Sequence, residues 1–266
     1  MDKSKLLDRV APGGEDRILL ARVLDRLEQA RRQNQLTATD FLSPSQLAGA
    51  EDLLRLAGAR SGEIHSYGGY EGAERRMILC LPEWMEDPAA AEAESPLRCL
   101  RAHFRPEDAL THRDILGSLM GLGIAREKIG DLLVGADCCD LMAADTVAEF
   151  LCSSWTSAGR ARVRVEMISP GQLHIPERHF EEIADTVPSL RLDAVLASGF
   201  RTSRSRAAEW IAAGRVQVNW RECLKPDRIL AEGDTVSARG QGKFQLSQVK
   251  GTTRKGRIAI QVKRSV

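Results

Sequence analysis

Clustered arginines near the end of the chain are the residues whose chemistry is easiest to anticipate. Arg201, Arg204 and Arg206 surround Ser203, and Arg215 follows shortly after them. A guanidinium group presents a planar set of N–H donors that matches phosphate oxygens, and it stays charged at physiological pH. This pattern indicates a surface that binds the phosphates of a nucleic acid backbone.

The formal charge of the chain is unevenly distributed, which supports this interpretation. Residues 187–266 contain 16 lysines and arginines against 6 acidic residues, a charge of +10, whereas residues 1–186 contain 22 against 31, a charge of −9. A small, strongly basic domain attracts polyanions, because each phosphate that it neutralises releases condensed counterions. We therefore expect RNA to bind the C-terminal part and not the acidic remainder.

The elements that must hold the arginines can be predicted from the sequence around them. Ser189 is suited to cap a first short helix, and Ser203 precedes a second. The apolar faces of these helices are formed by Leu192, Val195 and Leu196 in the first and by Ala207, Trp210 and Ile211 in the second. Alternating hydrophobic residues then predict strands at 216–218, 234–239, 243–249 and 257–262. Residues 187–266 are thus expected to form a small α+β domain.

An N-terminal α/β domain is expected at residues 1–82, followed by an acidic linker at 83–96. Helical spacing of apolar residues, a helix start at Ser43-Pro44 and a glycine-rich turn between two strands indicate the domain. The apolar residues of its first helix are Ile18, Leu19, Val23, Leu24 and Leu27. The next segment is acidic and contains several prolines and alanines, which is typical of a linker.

The middle segment, residues 97–186, follows the order strand, helix, two strands, helix, strand. This βαββαβ order predicts a ferredoxin-like domain, in which two helices cover one face of a four-stranded antiparallel sheet. RNA-recognition motifs share the arrangement but stack bases on aromatic residues of their central strands, and here those strands offer only Phe104. Base stacking on this sheet is therefore not expected.

Catalytic and cofactor-binding residues find little support in the sequence. His103, His112, Asp114 and Asp131 could form an acid–base set, but helix capping and core roles account for them. The glycine-rich segment 68–72 reads as a hairpin turn, and Gly121-Leu122-Gly123 ends a helix instead of opening a dinucleotide-binding unit. The sequence therefore predicts neither an enzyme nor a cofactor.

Metal binding and membrane insertion are not expected either. The six cysteines form no Cys-x-x-Cys pair and read as reduced core thiols, and the histidines, including His174 and His179, lack the spacing of a metal pair. No apolar run approaches the roughly 18 residues that span a bilayer, and no signal-peptide stretch follows Met1. We expect a cytoplasmic protein without metal or membrane contact.

The C-terminal pattern resembles the S4-type (alpha-L) RNA-binding domain. The matching motifs are Arg191-Leu192-Asp193, then Ser203-Arg204-Ser205 with Ala207, Ile211, Gly214, Val216, Val218 and Asn219, and then Gly233-Asp234. The resemblance implies that the two helices and the loop entering the first strand contact structured RNA through Arg191, Ser203, Arg204, Arg206, Arg215 and Asn219. One position departs from the pattern, since Trp220 stands where glycine is favoured after the asparagine. Its ring offers a stacking surface or packs against the neighbouring strand.

Upstream segments are similar to those of the bacterial YlmH family. They are Phe41-Leu42-Ser43-Pro44, residues 68–75, and residues 111–131 with Gly121-Leu122-Gly123-Ile124. The resemblance implies a non-enzymatic factor of ribosome-associated quality control that binds an obstructed large ribosomal subunit carrying peptidyl-tRNA. The expected partners are then rRNA and tRNA, bound by a monomer.

Two other functions remain open at this point. S4-type modules are also appended to RNA-modifying enzymes, in which case turnover on uridine-containing RNA would be observed. Alternatively, the acidic residues 1–186 could dock a protein of cell division or photosynthesis, with RNA binding secondary. A partner retained after ribonuclease treatment would indicate that second role.

Overall fold

Helices and antiparallel sheets alternate along the chain, which confirms the expected mixed α+β class. The computed structural model describes residues 3–10, 14–176, 180–254 and 256–265. Contacts divide the chain into two compact units, residues 1–176 and 177–266. None of the helices in the described ranges is long and apolar enough to cross a membrane.

Three helices and a small sheet begin the first unit. The helices are α1 (Lys3–Val10), α2 (Glu15–Gln33) and α3 (Pro44–Leu56), and the strands, in the order β1-β3-β2, are β1 (Thr37–Ala38), β2 (Ile64–Tyr67) and β3 (Met77–Cys80). The predicted helix start at Ser43 is confirmed. Ser43 Oγ accepts the Gln46 N–H at 3.3 Å, and the Gln46 side chain accepts the Ser43 N–H at 2.9 Å. This capping box satisfies two donors that a helix start otherwise leaves open.

The segment expected as an acidic linker is ordered against the first unit. It contains α4 (Pro88–Ala93), which Asp87 caps by accepting the Ala89 N–H at 2.9 Å. Ala91 is fully buried, and the Glu92 carboxylate lies 2.8 Å from His65 of β2. Burial of the small apolar face of α4 explains why this segment folds despite its acidic composition.

The middle segment has the predicted βαββαβ order. Its elements are β4 (Leu97–His103), α5 (His112–Gly121), β5 (Ile129–Val134), β6 (Cys138–Ala144), α6 (Asp145–Ser154), the short ribbon β7 (Ser157–Ala158) and β8 (Ala161–Arg162), and β9 (Arg164–Ile168). The antiparallel sheet runs β5-β6-β4-β9, so β4 and β9 pair with each other and β4 also pairs with β6 of the central hairpin. The capping role expected for Asp114 is confirmed, since Thr111 and Asp114 form a capping box at the start of α5.

Both faces of this four-stranded sheet are covered. Alternate residues of a strand point to opposite faces. On one face Leu100 and Ala102 pack with Ile115 and Leu119 of α5, together with residues of α6. On the other face Leu97, Cys99, Met142 and Ala144 pack with Phe41, Met77 and Leu79 from the first part of the chain. No broad sheet face is therefore open for base stacking, and Phe104 itself belongs to the helix-side core.

The second unit contains two helices against a six-stranded antiparallel sheet. Its elements are β10 (Phe180–Val187), α7 (Leu192–Gly199), α8 (Arg204–Ala212), β11 (Val216–Val218), β12 (Arg221–Glu222), β13 (Thr235–Ala238), β14 (Gly242–Thr252) and β15 (Ile258–Ser265). The strand order is β10-β15-β14-β13-β11-β12. The apolar faces predicted for both helices are buried, with Leu192, Val195, Leu196 and Ile211 at 0% exposure.

Strand β10 extends the second unit beyond the start expected at residue 187. It pairs with β15 along its whole length, from Phe180 opposite Ser265 to Val187 opposite Ile258. Ile183 and Val187 join the second core, which is why the strand belongs there. Residues 177–266 contain 17 lysines and arginines against 10 acidic residues, so the basic excess is +7 for this unit as the structure divides the chain.

The end of α7 is fixed by a close contact that requires glycine. A Cβ atom on Gly199 would lie 2.6 Å from a ring carbon of Phe244. Phe244 in turn meets Phe200 in an edge-to-face contact with ring centroids 5.1 Å apart. This packing sets α7 on the sheet and fixes the direction in which the chain leaves it toward the arginines.

Candidate nucleic-acid interface

A buried carboxylate lies between two of the predicted arginines. Asp193 has a side chain only 8% exposed, and it accepts hydrogen bonds from Arg191 at 3.2 and 3.3 Å. Arg204 donates to the same carboxylate through Nε at 3.0 Å and Nη2 at 2.9 Å. Burial alone would raise the pKa of Asp193, but the hydrogen bonds and charges of Arg191 and Arg204 outweigh it and hold the pKa below its usual value. Arg204 thus joins α8 to α7 through Asp193, and Arg191 holds the same carboxylate from the N-cap position of α7.

The start of α7 is closed by backbone groups from a distant loop. The Leu192 N–H donates to the Arg228 carbonyl at 2.7 Å, and the Asp193 N–H donates to the Pro226 carbonyl at 3.0 Å. The prediction that Ser189 caps this helix is wrong, because the N-cap residue is Arg191 and it provides no side-chain cap. The amides of this helix start are consequently occupied and do not face a ligand.

The start of α8 matches the prediction more closely. Ser203 is the N-cap, and its Oγ accepts the Arg206 N–H at 3.2 Å. The first-turn amides of Arg204 and Ser205 have no acceptor within the helix, as at any helix start. Arg201, just before this point, is 64% exposed and donates to Glu181 of β10. An anion at this helix end would meet open amides and the positive end of the helix dipole.

Arg206 and Arg215 lie on an aromatic ring. Their guanidinium carbons are 5.7 and 5.9 Å from the ring centroid of Trp210, which is itself only 7% exposed. Arg215 also donates to the Arg239 carbonyl at 2.8 Å. Within the described parts of the chain, neither guanidinium has a carboxylate partner. A cation held over a ring keeps its N–H edges directed to solvent, where phosphate oxygens can accept them.

The turn between β11 and β12 keeps its tight geometry with a tryptophan in it. Asn219 and Trp220 have φ angles of 49° and 64°, both in the left-handed region. The Asn219 side chain donates to Asp234 at 2.7 Å and accepts the Thr235 N–H at 2.9 Å, which braces the turn. Trp220 remains partly exposed, and Lys243 lies 5.4 Å from its ring centroid. The turn is therefore tight although tryptophan replaces the favoured glycine, and the left-handed conformation of Trp220 has an energetic cost.

Three further basic residues were missed from the sequence. Arg264 lies 5.5 Å from the ring centroid of Phe200, Lys243 lies against Trp220, and Arg239 is exposed beside Arg215. Phe200 and Trp210 also meet edge to face at 6.2 Å, so Arg206, Arg215 and Arg264 surround one aromatic cluster. The sequence gives only one signal for these residues, their positions near strand ends. Their aromatic and backbone contacts join segments that are distant in sequence.

The residues considered for acid–base chemistry have structural partners. Asp114 caps α5, and His103 lies 2.8 Å from Glu166 of the neighbouring strand β9. Asp131 accepts hydrogen bonds from Tyr70 Oη and from two backbone amides of the glycine-rich loop. His112 lies on the exposed first turn of α5. These residues are not assembled at one site.

The cysteines are reduced thiols. Burial raises the pKa of Cys80 to about 11 and that of Cys139 to about 12, which disfavours the reactive thiolate. Across the described ranges, no three side chains of the metal-binding types come together. His179, which was considered with the other histidines, lies outside the described residues.

Comparison with known proteins covers almost the whole chain. Family models match at residues 15–83 ("YlmH, N-terminal"), 106–171 ("Putative RNA-binding domain in YlmH") and 190–236 ("S4 domain"). A relative from Bacillus subtilis (strain 168), named ribosome-associated protein quality control protein P2, is 32% identical over 251 residues, or 94% of this chain and 95% of the relative. The solved structure of cell division protein ylmH from Streptococcus pneumoniae has a TM-score of 0.50 at 21% identity, covering 62% of this chain and 96% of that one. This second likeness is one of fold alone.

The S4 match covers α7, α8 and the Asn219–Trp220 turn, which carry most of the arginine surface, and ends before Lys243 and Arg264. The two upstream matches cover the two parts that pack together in the first unit. Since the Bacillus relative also aligns from end to end, the chain belongs to the YlmH family of proteins with an S4 domain.

Proposed function

We propose that this protein is a non-enzymatic, cytoplasmic and monomeric factor that binds structured RNA on the large ribosomal subunit. Its role would be in ribosome-associated quality control of stalled peptidyl-tRNA, with rRNA and tRNA as its RNA partners. The name of the Bacillus relative and the family membership support the proposed role in ribosome-associated quality control. The basic surface of the second unit supports the binding.

The observation that carries the proposal is the placement of Arg206 and Arg215. Both lie over Trp210 without a carboxylate partner among the described residues; Arg206 is in the first turn of α8, and Arg215 follows the end of that helix. An arginine that is held by an aromatic ring loses little side-chain freedom when a phosphate binds to it. The start of α8 adds the backbone N–H donors of its first turn, which follow Ser203 directly.

The remaining predicted residues receive different roles in this proposal. Arg191 and Arg204 reach RNA with the exposed parts of their side chains, which are 36% and 50% exposed, while also holding Asp193. Arg201 contributes long-range electrostatic attraction for the RNA backbone. Trp220 offers a ring on which an unpaired base can stack, and Asn219 keeps that turn in shape.

The first unit would act mainly as a scaffold and as a surface on which a partner protein docks. Its residues 97–176 would form the ferredoxin-like domain and residues 1–82 the N-terminal domain, with 83–96 joining them. Because both faces of the four-stranded sheet are covered, any RNA contact by the segment matched at 106–171 would have to use its helices or strand edges. Its acidic composition opposes strong binding to the RNA backbone.

Ribosome association tests the proposal directly. A variant with Arg206→Gln and Arg215→Gln should leave the large-subunit fractions of a sucrose gradient under conditions that stall translation. A matched variant with Arg113→Gln and Arg160→Gln removes the same charge from exposed positions of the first unit and should sediment as the wild type does. Wild-type protein that stays only at the top of the gradient would contradict the ribosomal role.

A further inference from the structure

A cavity of about 420 Å³ lies in the first unit between α2, the start of α3 and the loop before β5. Its apolar side includes Ile18, Leu19 and Leu42. Ile18, one of the apolar residues of the helix predicted there, is 60% exposed at this place. Small-molecule sites commonly have volumes of about 300 to 1,000 Å³, so the cavity is large enough for a mononucleotide.

Two arginines at the base of this cavity share one acceptor. Arg75 Nε donates to the Ile129 carbonyl at 3.0 Å, and Arg126 Nη1 donates to the same oxygen at 2.6 Å. Arg75 also donates to the Phe41 carbonyl at 3.0 Å, and Arg126 to the Gly130 carbonyl at 3.1 Å. All these acceptors are neutral, so among the described residues neither guanidinium forms an ion pair with a carboxylate.

The free protein therefore holds two neighbouring positive charges in a partly buried place. Burial, and next the charge of Arg126, lowers the pKa of Arg75 to about 10, and burial also lowers the pKa of Arg126. Both groups are still charged at neutral pH, so the folded protein bears the cost of their desolvation and repulsion. An anion between them would relieve that cost.

The nearby carboxylates leave this positive charge in place. Asp131 is engaged by Tyr70 and by the backbone amides of Glu74 and Arg75. Asp40 lines the cavity but binds Lys128 at 2.6 Å. Asp16 and Glu127 also line it, as do the additional cations of Arg22 and Arg26 on α2.

We propose that this cavity binds the phosphate of a nucleotide, with Arg75 and Arg126 holding the phosphate and the apolar side receiving the nucleoside. Paired guanidinium groups match a phosphate, which has more charge and more acceptor oxygens than a carboxylate. The nucleotide is either free or the 5′-phosphorylated end of an RNA chain. The site is independent of the C-terminal RNA surface.

Calorimetric titration of the full-length protein with AMP, inorganic phosphate and adenosine tests this site. We expect one AMP per chain, competition by inorganic phosphate, and at least about tenfold weaker binding of adenosine. Arg126→Gln should weaken AMP binding by about ten- to a hundredfold. Because Arg126 also braces the loop, the exposed pair Arg22→Gln with Arg26→Gln serves as a second variant that leaves the fold intact, as thermal melts will verify, and it should weaken AMP binding by several-fold.

A matched control separates this site from the proposed function. Arg206→Gln with Arg215→Gln should leave AMP binding unchanged, even if it abolishes ribosome association. A 5′-phosphorylated tetraribonucleotide that binds at least as tightly as AMP, in a manner that depends on Arg126, identifies an RNA end as the ligand; preference for AMP identifies a free nucleotide. The inference is overturned if AMP fails to bind at millimolar concentration, if adenosine binds equally well, or if the cavity variants bind AMP as the wild type does.

Discussion

Arginines occur in two contrasting settings within the second unit. At the junction of α7 and α8, Arg191 and Arg204 donate hydrogen bonds to the buried carboxylate of Asp193. Two residues further along α8, Arg206 lies over Trp210 together with Arg215, and neither has a carboxylate partner among the described residues. The same residue type therefore serves as internal structure in the first setting and as an exposed cation source in the second.

This contrast shows how a basic domain can remain folded and still present charge to RNA. A buried carboxylate left without partners is destabilising, so Arg191 and Arg204 are needed whether or not RNA is bound. The aromatic setting fixes the direction of a guanidinium but neutralises none of its charge. The RNA affinity of the unit should therefore depend most on the arginines that contribute least to its stability.

The largest expected effect is on RNA affinity, in the double variant Arg206→Gln with Arg215→Gln. Each charged hydrogen bond to phosphate contributes about 1.5 to 3 kcal/mol, so loss of both should weaken binding by about two to four orders of magnitude if they act independently. Filter binding to structured RNA at fixed salt measures this loss, and a thermal melt should show only a small change in stability.

A core variant provides the comparison for that experiment. Ile211 is fully buried, so Ile211→Ala should lower the free energy of unfolding by about 2 to 5 kcal/mol and affect RNA binding only through unfolding. Wild-type affinity in the folded arginine double variant would mean that the RNA surface lies elsewhere on the unit.

The next effect concerns stability at the carboxylate junction. Asp193→Asn should lower the free energy of unfolding by about 1.5 to 3 kcal/mol at pH 7, because charged hydrogen bonds to Arg191 and Arg204 become weaker ones. The pKa of this carboxyl is lowered in the folded state, so its contribution is complete above the unfolded value near 3.9 and disappears as pH falls through the lower folded value. Urea unfolding between pH 7 and pH 2 should show this loss below about pH 4 in the wild type and a flatter profile in the variant. Parallel profiles would contradict the assignment.

Trp220→Gly should change affinity and stability in opposite directions. Loss of a stacking ring should cost about 1 to 3 kcal/mol of RNA binding. Glycine removes the left-handed strain at this turn, so the free energy of unfolding should stay equal or rise by about 1 kcal/mol. A variant that loses stability while keeping its affinity would show that the ring packs and does not bind RNA.

The smallest effect is expected for Arg201→Gln. Arg201 pairs with Glu181 at the exposed surface, and such pairs contribute about 0 to 1 kcal/mol. Affinity should fall by less than about tenfold, mainly through long-range attraction. A loss as large as that of the Arg206 and Arg215 pair would erase the distinction between carboxylate-paired and ring-held arginines.

Local signals explain what the sequence predicted well. The helix start at Ser43, the capping role of Asp114, the two C-terminal helices and the start of α8 at Ser203 depend on residues three or four positions apart, and all are confirmed. The βαββαβ order likewise followed from short apolar runs between turns. In each case the stabilising contacts lie close together in the sequence.

Long-range contacts explain what the sequence could not predict. The start of α7 is closed by carbonyls of Pro226 and Arg228, more than thirty residues away, so Ser189 was a misleading capping signal. The pairing of Asp193 with Arg204 depends on how α7 packs against α8. Strand β10 was missed because its partner, β15, lies at the opposite end of the unit in sequence.

Division of RNA affinity between the two units tests the central claim most directly. Fragments 1–176 and 177–266 should be compared with the full chain by filter binding over a range of salt concentrations. We expect fragment 177–266 to bind within about tenfold of the full chain, with a log–log salt slope of about −0.7 to −0.9 per phosphate contact, and fragment 1–176 to bind at least about a hundredfold more weakly. Equal affinities of the two fragments, or tighter binding by fragment 1–176, would contradict the assignment of RNA binding to the C-terminal unit.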